Sequence, residues 1–78
     1  MTQQTKKRWY DDMRWTTPGG ELVSCVEKLK VLQENLHEIE ALAQDAFEDA
    51  VLMGCDEKQV REALTRLIVE LKNPYKGK

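Results

Sequence analysis

Between Gly20 and Gly54 this chain has neither glycine nor proline, so nothing in the sequence interrupts a helix over that stretch. Cysteine is almost as scarce. Cys25 and Cys55 are separated by a stretch that, as helix, sets them roughly 45 Å apart, against the ~6 Å a disulfide spans. Free thiols are expected, in keeping with a reducing cytoplasm. No hydrophobic run approaches the length of a membrane-spanning helix. Met1 to Arg8 is polar with no apolar core behind it, so no secretory signal is expected. A Gly-rich phosphate loop, zinc-ligand spacing and clustered catalytic carboxylates are all missing. The expectation is therefore a protein that is not an enzyme, with no cofactor and no metal site.

What is present is periodicity. From Leu22 to Met53 apolar residues recur at Leu22, Cys25, Leu29, Leu32, Leu36, Ile39, Ala43, Ala46, Ala50 and Met53, in alternating steps of three and four. That is a heptad stripe along one helix. Thr17-Pro18 reads as its start, with Thr as cap and Pro at the first helical position, the regular helix beginning nearer Glu21. Gly54 reads as its C-cap. Asp56 with Gln59 opens a second helix of about half the length, amphipathic through Val60, Ala63, Leu64, Leu67, Ile68 and Leu71 and stopped by Pro74. The short connection forces an antiparallel hairpin. The small residues Ala43, Ala46 and Ala50 are expected to seat Leu64, Leu67, Ile68 and Leu71. Leu42, Phe47 and Val51 widen the apolar face beside them, and Phe47 with Val51, four apart, suggests a second interface.

The shorter partner leaves Leu22 to Leu36 without a mate in the hairpin. Burying its four leucines and Val26 is worth on the order of 8–15 kcal/mol before entropy, comparable to the whole stability of a small domain. A homodimer, a client protein or the chain's own N-terminal arm must cover such a stripe. The arm, Arg8 to Thr17, carries Trp9, Tyr10, Met13 and Trp15 and shows no regular period. Its aromatics fit either packing on the first helix or a dimer mate, or anchoring a different protein.

Charge is segregated. Residues 1–15 carry four cations against two carboxylates, and residues 16–53 carry two against eight, leaving the first helix acidic. Lys6-Lys7-Arg8 beside Trp9-Tyr10 has the cation–aromatic mixture of single-strand nucleic-acid binders. Asp11, Asp12 and the acidic helix behind oppose phosphate, so this ranks below protein binding. Glu34-Asn35-Leu36-His37 has the Glu-x-x-His spacing of di-iron bundles, but with Leu36 on the core stripe both ligands are expected to point outward. Cys25, on the same stripe, is expected as a small buried hydrophobe. Cys55, at a helix N-terminus, is read as a loop residue rather than a redox site.

Asn35-Leu36-His37-Glu38-Ile39, preceded by Leu29-Lys30, resembles the Leu-His-acid-Leu segment in the first helix of small Rop-like two-helix proteins found in nitrogen-fixation gene clusters. This chain differs from them in its aromatic arm, its longer first helix and the lack of a polar loop after the His segment. The resemblance implies a non-enzymatic accessory protein attached to the nitrogenase system. Rop itself binds RNA, and the acidic first helix argues against carrying that activity over.

The expected fold is all-α: an antiparallel two-helix hairpin over residues 18–73, with an irregular, partly disordered aromatic arm at 1–17 and a tail at 74–78. The expected partner is a larger protein or complex, with a cytoplasmic homodimer in its absence and no membrane contact. The expected partner-binding residues are Trp9, Tyr10, Trp15, Leu22, Val26 and Leu29, with Phe47 and Val51 second.

Overall fold

A computed structural model describes residues 7–75. It contains a 3-10 helix at Trp9–Asp12 and two α-helices, α1 at Val26–Leu52 and α2 at Glu57–Val69. The fold is the helical hairpin expected, a long first helix and a shorter second one, with no strand among the described residues. Two compact units divide between His37 and Glu38.

In the second unit, the hairpin is closed by two caps. Gly54 has φ +98°, the left-handed conformation that ends a helix and that residues with a Cβ resist. The Cys55 N–H donates to the Ala50 carbonyl at 3.0 Å, and the Gly54 N–H to that of Val51 at 2.9 Å. These two bonds define a Schellman cap and satisfy carbonyls that α1 would otherwise leave open. Asp56 then accepts the Gln59 backbone N–H at 2.9 Å and starts α2. The helix stops at Val69, before Lys72, and Leu71 lies outside it, exposed.

The two helices meet through Ala43, Phe47 and Ala50 of α1 and Val60 and Leu64 of α2, all half-buried. The Arg61 guanidinium lies 4.6 Å from the centre of the Phe47 ring, a cation–π contact. This corrects the expected seam. Ala46, Leu67, Ile68 and Leu71 are exposed, and Phe47 takes the place assigned to Ala46. The reason is geometric. At about 100° per residue, Ala43, Phe47 and Ala50 fall within about 60° of one another on α1, and Ala46 lies outside that arc on the side away from Phe47. Phe47, four residues after Ala43, shares its face and completes the contact.

In the first unit, α1 starts later than the sequence suggested. Residues 16–25 are not helical. Thr16 and Leu22 pair across an isolated antiparallel bridge, flanked by Thr17 N–H to Glu21 O at 2.7 Å and Val23 N–H to Trp15 O at 2.8 Å. Pro18-Gly19-Gly20 forms the turn, with Gly20 at φ +93°. The Thr17 hydroxyl accepts the Glu21 N–H at 3.3 Å, closing that turn instead of capping a helix. Leu22 and Cys25 thus precede the helix, and Cys25 is exposed rather than buried.

Candidate docking surface

Asp11 organises the arm. Within the 3-10 helix its carboxylate reaches back to accept the Arg8 backbone N–H at 2.8 Å, while its own N–H donates to the Arg8 carbonyl at 2.9 Å. The same carboxylate faces α1, with His37 Nε2 at 2.9 and 3.1 Å from its two oxygens. A carboxylate only accepts, so Nε2 carries the hydrogen. One helical turn earlier, the Gln33 side-chain amide donates to the Asp11 carbonyl at 3.0 Å. One arm residue is therefore gripped from i and i+4 on the helix. The Arg8 N–H, more than any other neighbour, holds the Asp11 carboxyl below its usual range; the His37 hydrogen bond, His37 charge and Lys7 add to this, and desolvation opposes it.

Rings close the contact. Tyr10 lies edge-to-face on His37 at 5.0 Å and on Trp9 at 5.1 Å, the geometry aromatic quadrupoles favour. Tyr10, 4% exposed, is the one buried hydrophobic residue among those described. Leu29, Leu32 and Leu36 lie on the same side of α1 as Gln33 and are half-buried. Of the covers the stripe demanded, the chain's own arm is the one in place. His37 accordingly points at the arm, not outward, and meets Asp11 there. Glu34 is exposed. Among the described residues no group of three or more His, Cys, Asp or Glu side chains is placed to hold a metal ion.

The residues read as partner-binding thus divide. Tyr10 is buried in the arm's own contact. Trp15 and Leu29 are half-buried, the Trp15 indole Nε1 enclosed with no acceptor, an arrangement that costs about 1–3 kcal/mol. Trp9, Leu22 and Val26 are exposed, at 67%, 52% and 76%. In the second unit Phe47 is spent on the hairpin under Arg61, and Val51 is partly open. Sequence reasoning missed Asp11, Gln33 and His37 as a set. The available signal was two polar residues, Gln33 and His37, four apart beside Leu29 and Leu36.

Lys7 sits 3.3 Å from Asp12 at the surface, and Lys6 lies outside the described residues. Among the described residues no helix is long and apolar enough to cross a membrane. Comparison of the chain with protein-family models, with curated proteins and with solved structures returns no match.

Proposed function

We propose that this chain is a small non-catalytic accessory factor of the cytoplasm that binds a larger protein or complex through its aromatic arm. The observation that supports this most is Trp9. It is two-thirds exposed, yet it belongs to a hydrogen-bonded 3-10 helix and stacks edge-on against the buried Tyr10. A large aromatic held in one orientation in water loses little further freedom when a partner covers it. Leu22 and Val26 are exposed apolar residues of the same unit. On the resemblance of Leu29 to Ile39 alone, the client we favour is a component of the nitrogenase system.

Affinity purification of tagged wild-type and Trp9→Ala chains tests this reading. The wild type is expected to retain a protein in fixed stoichiometry. Losing a central aromatic anchor costs about 2 kcal/mol or more, a drop of roughly 30-fold or greater in affinity. Equal retention by the variant defeats the proposal. A nucleic-acid regulator using Lys6, Lys7 and Arg8 is the alternative. It predicts binding that falls steeply with salt, whereas an aromatic dock does not, and the Lys7–Asp12 pair weighs against it.

A further inference from the structure

The two sides of the hairpin differ in charge. On one, Gln44 and Phe47 of α1 face Arg61 and Thr65 of α2 across an open depression. That contact fixes how each helix is turned. At about 100° per residue, the opposite side of α1 carries Ile39, Leu42 and Ala46, with Leu67 beside them on α2. All four are exposed, Leu42 at 72%. The same periodicity sets Glu38, Asp45 and Asp49, also exposed, along the outer edge of this apolar row. These three differ from the other carboxylates of the hairpin's first helix. Glu48, further round, accepts the Gln44 amide at 2.8 Å, and Glu40 lines the depression. Glu38, Asp45 and Asp49 have no hydrogen bond or ion pair through their side chains among the described residues. From Glu38 to Asp56 the sequence holds no cation. Those of α2 are held elsewhere: Arg61 pairs with Glu57 at 3.0 Å and Arg66 with Glu70 at 2.8 Å, while Lys58 lies on the Arg61 side.

We propose that this edge of the hairpin docks a basic amphipathic helix of a partner protein. Apolar side chains of that helix lie on Ile39, Leu42, Ala46 and Leu67, and a row of Lys or Arg beside them meets Glu38, Asp45 and Asp49. Charge complementarity selects this occupant. Residues 38–75 carry nine carboxylates against four cations. A second copy would bring an equally acidic surface to the contact, and like charges across an interface disfavour it. Nucleic acid and anionic lipid are repelled for the same reason. Spacing sets the partner's shape. Glu38 to Asp49 is eleven residues, about 16 Å or three turns of helix. Steps of seven and four keep the matching cations on one edge of the partner helix, as charges flanking an apolar seam do in coiled coils. An amphipathic helix laid along an apolar groove is a recurring mode of recognition. The surface lies wholly in the second unit and shares no residue with the arm, so either proposal stands without the other.

The probe is a short helix-forming peptide of leucine and lysine alone, with leucine on one face and lysine along both edges. Calorimetric titration of the full chain should show saturable binding of one peptide per chain, weakened by added salt. Methyl and amide resonances of Ile39, Leu42 and Ala46 should shift most. Neutralising the row, with Glu38→Gln, Asp45→Asn and Asp49→Asn together, should weaken binding about tenfold. Leu42→Gln should weaken it about tenfold or more. Both changes fall on exposed positions and should leave the helices intact. Glu62→Gln, on the far side of α2, should have no effect, and the peptide with glutamate in place of lysine should not bind. The proposal is overturned by a peptide that shows no saturable binding below the concentration at which it self-associates. Resonance shifts confined to residues off this edge overturn it too, as does a neutralised variant that binds like the wild type. So does a wild type that sediments as a dimer without peptide and that Leu42→Gln dissociates, because a second copy then occupies the surface.

Discussion

Replacing Tyr10 by Ala should release the arm and leave the hairpin folded. Tyr10 is the one hydrophobic residue out of water among those described, and it supports the Trp9 ring on one side and meets the His37 ring on the other. Truncating a buried aromatic to Ala costs about 3–5 kcal/mol. Here the cost falls on the equilibrium between docked and free arm, a drop of roughly 150- to 5,000-fold in the docked-to-free ratio. The Trp15 Nε1, enclosed without an acceptor, is a further cost that the folded first unit already carries. Both tryptophans of the chain, Trp9 and Trp15, lie in the arm, so intrinsic fluorescence reads the arm alone. Tyr10→Ala should shift emission to the red and abolish amide protection in Trp9–Asp12, with helical circular dichroism retained. Tyr10→Phe keeps the ring and should stay near wild type, within about 1 kcal/mol. If Tyr10→Ala keeps the wild-type emission and amide protection, the polar contacts of Asp11 hold the arm unaided and the argument from ring burial is wrong.

Acid should open the arm by a separate route. The Asp11 carboxyl is held below its usual range, first by the Arg8 N–H. Its contribution is therefore complete above the ordinary value near 3.9 and is lost as pH falls through the lower folded value. A fluorescence titration should show a transition below about pH 4 that Asp11→Asn removes. Gly54→Ala places a Cβ at φ +98°. The surroundings are open, so the penalty is backbone strain alone, about 1–2 kcal/mol of hairpin stability by thermal melting. Asp56→Ala leaves the Gln59 N–H without its acceptor and should cost about 1 kcal/mol in the same measurement.

The hairpin was legible in sequence because its signals are local. Gly54 and Asp56 act through bonds to residues three to five away, and the uninterrupted run before Gly54 has one good reading. The start of α1 was not legible. Thr-Pro opens a helix or a turn equally well, and the choice rests on Gly20 adopting a positive φ, which its neighbours do not announce. The phase of the buried face was misread because the step after Ala43 was taken as three residues, to Ala46, where the contact takes four, which hid Phe47. Asp11 and His37 stand 26 residues apart. Both are polar, and neither belongs to a periodic pattern, so no sequence rule joins them.

That separation has a kinetic consequence. Within the hairpin, the Phe47–Arg61 contact closes a loop of 14 residues. The Asp11 contacts to Gln33 and His37 close loops of 22 and 26 residues, and the entropy of closing them is met before any contact offsets it. On the ribosome the arm emerges first, yet its acceptor helix is completed only many residues later. The aromatic arm can thus dock only once α1 has been made as far as His37.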